Sequence, residues 1–177
     1  MAIFMKYGSF NGDATQAGFK GWINISDFKW QVKRPITTKS GSQSHTYDPK
    51  QQPDIHMVTV KKETDSATAP LLDAMCNKNK AEKCTIIFVT TGNPGRVYLQ
   101  YKLSNALLAN YKIDFDSKGE NIVETLEINF TKVEMAHLSS DTTNVLSQSE
   151  PDRFEFDKLT APGQSAPSRS APAGGHS

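Results

Sequence analysis

Val97-Tyr98-Leu99-Gln100-Tyr101-Lys102-Leu103-Ser104-Asn105-Ala106-Leu107-Leu108 is the stretch from which the rest of the chain can be read. Val97, Leu99, Tyr101 and Leu103 share one parity, and Tyr98, Gln100 and Lys102 take the other, the alternation of a strand with one buried face. Residues 107–115 follow almost at once and read as a continuation. The same rhythm recurs on both sides. Residues 2–7 form a short apolar run, and Cys84, Ile86, Phe88 and Thr90 alternate in another strand. In residues 55–64, His56, Val58 and Val60 oppose Met57, Thr59 and Lys61. Ile122, Leu126, Ile128 and Phe130 share a face until the pattern slips to Val133 and Met135, the mark of a bulge. Residues 19–32 read as one long strand whose parity changes, from Trp22, Phe28 and Trp30 to Ile23 and Ile25, which marks a bulge or bend. Asn93-Pro94-Gly95 and Ser117-Lys118-Gly119-Glu120 supply turns.

One segment departs from the strand rhythm. Thr68-Ala69-Pro70-Leu71-Leu72-Asp73-Ala74-Met75-Cys76 places Pro near a helix start, where its missing N–H costs nothing. Leu71, Leu72, Met75 and Cys76 recur at helical spacing as one apolar stripe, so a short helix ending near Asn77 is expected. Many strands with a single helix between them, and no βαβ alternation, disfavour a nucleotide-binding parallel sheet. Residues 34–53 form the longest irregular stretch, and loops of that length are usually functional or disordered. Residues 161–177, built from Ala, Pro, Ser and Gly, hold too little apolar surface to offset their ordering entropy. The expected organisation is a β domain over residues 1–160 and a flexible tail.

Bulk composition narrows the function. The 177 residues carry 20 Lys+Arg against 19 Asp+Glu, a net charge of +1, which argues against a nucleic-acid binder. Apolar residues make up 37%, with no run long enough to insert in a bilayer, and the opening MAIFMKYGSFNGDA lacks the apolar core of a signal peptide. Cys76 and Cys84 match no zinc or redox spacing and read as two buried thiols.

Motifs for chemistry are missing. No G-x-S-x-G, H-E-x-x-H or G-x-x-x-x-G-K occurs, and His45, His56 and His137 are scattered. Asp114-Phe115-Asp116-Ser117-Lys118-Gly119 begins like a calcium loop, but Lys118 and Thr125 stand where ligand oxygens are required, so it reads as a polar hairpin turn. Trp22, Phe28 and Trp30 read as sheet-packing residues rather than a stacking platform. No catalytic, metal or cofactor site is expected.

Four stretches in order resemble the Hcp (haemolysin-coregulated protein) family of type VI secretion, over residues 1 to about 159. They are Gly21-Trp22-Ile23 leading to Phe28-Lys29-Trp30; Val60-Lys61-Lys62-Glu63-Thr64-Asp65 leading to Ala69-Pro70-Leu71-Leu72-Asp73-Ala74-Met75-Cys76; the quoted run from Val97; and Glu124-Thr125-Leu126-Glu127-Ile128-Asn129-Phe130-Thr131-Lys132-Val133-Glu134. The resemblance implies a mainly β fold, an antiparallel β-barrel of two packed sheets with one short α-helix on the outside. It implies homo-hexameric rings that stack into a tube and carry or chaperone effector proteins, with type VI spike and sheath proteins as partners. It implies assembly in the bacterial cytoplasm, then secretion by the type VI apparatus, with no catalysis, no nucleic acid and no membrane insertion. The 34–53 loop resembles the family's extended loop toward a neighbouring ring, which makes Lys39, Gln43, His45, Tyr47, Asp48 and Lys50 inter-ring candidates. Lys29 stands where the family places a small polar residue facing the channel, so Lys29, with Lys33 beside it, is the candidate cargo-facing pair. A phage-like tail tube protein and a monomeric ligand-binding β-barrel are the alternatives.

Overall fold

In a computed structural model, residues 1–38, 45–47, 52–78, 80–92, 95–116, 121–138 and 152–159 are described. The strands before the helix are β1 (Ala2–Tyr7), β2 (Ile23–Ile25), β3 (Asp27–Lys29), β4 (Val32–Lys33), β5 (Ile36–Thr38), β6 (His45–Tyr47), β7 (Asp54–Ile55) and β8 (Val58–Glu63). After the helix α1 (Thr68–Cys76) come β9 (Glu82–Val89), β10 (Val97–Asp116), β11 (Asn121–Asn129), β12 (Lys132–His137) and β13 (Asp152–Asp157).

β10 organises the fold, because its 20 residues serve two sheets. Its first half lies between β9 and β12, in a sheet ordered β2-β1-β9-β10-β12-β13. Its second half pairs with β11, in a sheet ordered β10-β11-β8-β3. The strand turns from one sheet to the other where its register shifts, between Leu103 and Ala106 and again between Leu108 and Asn110. Asn105 sits at the first shift with φ of 52°, a left-handed conformation that Asn tolerates better than most residues. Its side-chain amide donates to Thr131 Oγ1 at 3.0 Å, and the Tyr7 hydroxyl donates to the Ala106 carbonyl at 2.9 Å from inside the barrel. Burial, followed by the neighbouring Cys84 and Glu82, pushes the Tyr7 pKa up to about 12, so the hydroxyl stays a donor at physiological pH.

The opposite corner is made by residues 23–29. The parity change read there is a bend at Ser26, whose N–H donates to the Lys61 carbonyl at 2.8 Å. β2 pairs with β1 and β3 with β8, so what reads as a single strand over residues 19–32 is two short strands in different sheets. Phe19 and Trp22 lie before them in turns that fold residues 8–22 over the outer face of β1 and β9. There Phe4 stacks on Phe19 at 5.2 Å, and Ile87 and Val89 are buried beneath. Among the described residues the hydrogen-bonded ladder is open between β2 and β3, so the two sheets form a barrel-like sandwich that is not closed. Between them Met5, Val58, Ile86, Leu103, Leu126 and Ile128 are fully buried. Phe28 and Trp30 pack against Tyr101 at 5.1 and 5.7 Å, as sheet-packing aromatics.

Three further expectations are corrected. The 34–53 stretch carries strand structure: β4 pairs with β7 and β5 with β6, making a two-stranded ribbon. Ile55 belongs to this ribbon and not to β8. Among the helix stripe residues Leu71 alone is fully buried, and Cys76 is exposed while Cys84 is buried. The helix is held at its first turn and its last turn leaves the barrel. Ser117–Glu120, Asn93-Pro94 and residues 161–177 lie outside the described residues.

The first turn of α1 is held by a buried ionic cluster. Lys62 lies on the core-facing parity of β8 with its side chain 0% exposed. Its ammonium uses its three donors on Glu124 Oε2 (2.7 Å), Asp65 Oδ1 (2.9 Å) and Thr68 Oγ1 (3.1 Å). Thr68 donates to Glu124 Oε1 at 2.6 Å, and Asp65 Oδ1 accepts from the Ala67 N–H at 2.9 Å, which takes the place of a side-chain cap. Burial pushes the Glu124 carboxyl up, but the hydrogen bonds from Lys62 and Thr68 outweigh it and hold the group below the usual carboxylate range.

Two stability predictions follow. Asn105→Val should destabilise by about 1–2 kcal/mol, since a β-branched residue is strained at positive φ, whereas Asn105→Gly should stay within about 0.5 kcal/mol; urea unfolding measures both. Glu124→Gln leaves Lys62 buried without its nearest charge and should cost about 3 kcal/mol. Because the folded pKa of Glu124 is lowered, its contribution is complete above the unfolded value of about 4.3 and is lost as pH falls through the folded pKa. Unfolding curves of Glu124→Gln should therefore show a shallower acid limb than those of the wild type.

Candidate functional site: assembly surfaces

The registers give the second sheet two distinct ends. At one end Lys29 opposes Thr59, Val58 opposes Ile128, and Asn129 opposes Leu107. At the other, Glu63 opposes Val123 and Asp116 opposes Asn121. The ribbon grows from the first end. The β10–β11 hairpin runs out at the second, past the last residue of β8.

On the ribbon Val32 opposes the buried Ile55 across β4 and β7, whereas Ile36 and Tyr47 face each other across β5 and β6. Both stay in water, at 60% and 59% exposed, and the Arg34 guanidinium lies 4.5 Å above the Tyr47 ring. Lys33 is exposed opposite Asp54. His56 at the base of the ribbon has Nε2 3.3 Å from Asp54 Oδ2, and its carbonyl accepts from Trp30 Nε1 at 3.2 Å, which ties the ribbon to the aromatic cluster.

The hairpin overhang is the second surface. Tyr111, Ile113 and Phe115 continue the core-facing parity of β10, and Ile122 opposes Phe115. Tyr111 is still packed on the core, but Phe115 is 67% exposed and Ile122 46%, with Ile113 also exposed. The apolar face of the sheet thus runs on beyond the barrel that it covers.

Lys29 lies on the outer face of the second sheet, its side chain 70% exposed and its ammonium 3.5 Å from Asp27. Lys61 and Lys112 share that face with Glu63, Glu127 and Asp114, so its charges are mixed in sign, and Lys112 pairs with Asp114 at 2.7 Å. A shallow depression of about 250 Å³ beside Lys29 is lined by Trp30, His56, Thr59 and Glu127. Lys33 stands apart from Lys29 on the ribbon. Among the inter-ring candidates, Tyr47 is on the exposed ribbon face and His45 is in β6; Lys39, Gln43, Asp48 and Lys50 lie outside the described residues. Val32, Ile36, Ile113, Phe115 and Ile122 were not legible as surface residues, because alternation marks a face as apolar without saying where its cover ends. The mismatch between the long β10 run and the short strands near it was the available signal.

Among the described residues no group of three or more His, Cys, Asp or Glu side chains is placed to hold a metal ion, and no helix is long and apolar enough to cross a membrane.

The fold is that of several solved type VI secretion proteins. A structure titled "Structure of a type six secretion system protein" superposes with a TM-score of 0.78 at 17% identity, covering 89% of this chain and 96% of that one. A type VI secretion system effector from Yersinia pestis gives 0.65 at 17% identity, covering 88% and 98%. Hcp1 from Salmonella typhimurium gives 0.67 at 17% identity, covering 89% and 95%. A comparison with curated protein sequences returns no match. The sequence pattern of the family described as "Type VI secretion system effector, Hcp" matches residues 4–137, from within β1 to the end of β12, and the chain belongs to that family.

Proposed function

We propose that this chain is a structural subunit of the type VI secretion tube, forming hexameric rings that stack and carry or chaperone effector proteins in their channel. The observation that carries the proposal is the ribbon: a projecting pair of strands that leaves Ile36 and Tyr47 in water, with Arg34 laid on Tyr47. Tyr and Arg at an exposed apolar patch are the residue types that anchor protein interfaces. The sheets add free edges, since among the described residues β2, β3 and β13 each pair on one side only, and a ring of copies would cover them. A near-neutral chain also meets little like-charge repulsion on stacking against itself. The subunit acts without catalysis or cofactor, assembles in the bacterial cytoplasm with spike, sheath and effector proteins as partners, and leaves by the type VI apparatus.

Lys29 and Lys33 are the cargo-facing pair in this proposal. Because Asp27, Glu63, Glu127 and Asp114 share or flank the Lys29 face, the wall is mixed in charge, and Lys29 offers a local cation toward acidic patches on cargo.

Sedimentation velocity with negative-stain imaging tests the assembly. The expected result is six-membered rings, and a strict monomer at high concentration would count against the tube. Lys29→Glu rings should retain less of a co-expressed acidic effector than wild-type rings do, and equal retention would remove Lys29 from cargo selection.

A further inference from the structure

The helix has little of its own to hold it on the barrel. Its nine residues fall below the ~12–15 that an isolated helix needs in water. No acid stands in its first turn, no base in its last, and Leu71 is its one fully buried residue. At the far end the Lys78 ammonium reaches the Phe10 ring only at 5.8 Å. What fixes α1 is the joint over residues 64–68. Glu124 engages it from inside the barrel, through Lys62 and Thr68. Asp13 engages it from outside, accepting from the Ser66 hydroxyl at 2.6 Å and from the Ser66 N–H at 3.2 Å. Asp65 closes it, accepting from Lys62 and from the Ala67 N–H. The joint thus turns on three carboxylates, whereas Met5, Val58, Ile86, Leu103, Leu126 and Ile128 hold the two sheets together without charge.

We propose that this joint is an acid-release latch: protonation of Glu124 frees the first turn of α1, which leaves the barrel and melts while both sheets stay folded. Local opening of this kind needs an element with few buried contacts, and α1 is one. Protonation leaves the Lys62 ammonium of β8 buried without its nearest negative charge, and opening returns it to water. The Tyr111 hydroxyl on β10 stays neutral throughout, pushed up by burial and then by Glu124. Asp13 is held below the usual carboxylate range by its hydrogen bonds from Ser66, so its protonation works in the same direction. The Glu124 carboxyl, lowered when the latch is closed, takes a proton more readily when it is open. Opening therefore grows about tenfold per pH unit as pH falls from about 4.3, until the folded pKa is passed.

Hydrogen exchange across this pH range, read by mass spectrometry on the full chain and normalised for intrinsic rates, tests the latch. Protection of the α1 amides should fall about tenfold per unit below about pH 4.3, while amides of β9 and β10 keep theirs. Glu124→Gln should lose α1 protection already at neutral pH with its strands still protected. Thr68→Val, which removes the hydroxyl between Lys62 and Glu124, should weaken α1 protection at neutral pH as well and serves if Glu124→Gln does not fold. The double variant Lys62→Met with Glu124→Leu replaces the pair by apolar side chains and should keep α1 protected in acid. Simultaneous loss of protection in α1 and the strands of the wild type would overturn the proposal, as would α1 protection that ignores pH. A folded Glu124→Gln or Thr68→Val whose α1 is as protected as the wild type would do the same. Acid opening that persists in the double variant would also overturn it, by moving the trigger to Asp13 or Asp65.

Discussion

A single buried ammonium ties the helix to the barrel. Lys62 points into the interior from β8, where an unpaired charge would be prohibitive, and is tolerated because Glu124, Asp65 and Thr68 accept all three of its protons. Those acceptors come from β11, from the turn after β8 and from the first turn of α1. The cluster therefore sets where the sheet ends, how the chain leaves it and where the helix begins. Apolar packing alone would allow these elements to slide, whereas directional hydrogen bonds admit one arrangement.

The second constraint is the continuity of β10. Its register shifts near Asn105 and Leu108 let one strand pass from sheet to sheet, and the barrel corner follows from that turn. After crossing, the strand keeps its apolar parity for longer than β8 can cover, which leaves Phe115 and Ile122 in the hairpin overhang. The same strand thus builds the core at one end and an unpartnered surface at the other. At the opposite end the ribbon offers Ile36 and Tyr47, so the assembly surfaces and the fold share a cause in strand length.

Much of the fold was legible in the residues. Strand alternation located β1, β9, β10 and β11, the Pro70 signal located α1, and the parity change in residues 19–32 located the bend at Ser26. Each of these rests on local periodicity or turn chemistry. The charged pair Lys62 and Glu124 was invisible, because each sits at a core position of its own strand and only pairing between the strands makes that acceptable. The ribbon was equally hidden in the 34–53 stretch: its short strands have little pattern of their own and depend on each other for hydrogen bonds. Cys76 fell on the apolar stripe of α1, yet which part of a short helix touches the barrel depends on where its first turn is anchored.

By itself the sequence determined the class of this protein: a strand-rich chain with one short helix, balanced in charge, bearing the Hcp family's succession of motifs. Alternation, helical spacing and turn residues act between near neighbours, so they can be read without the fold. Only the tertiary structure decided which apolar faces are covered, which charges meet in the interior and which strand ends project. Those are properties of long-range pairing, in which residues as distant as Lys62 and Glu124 acquire their meaning from being 2.7 Å apart.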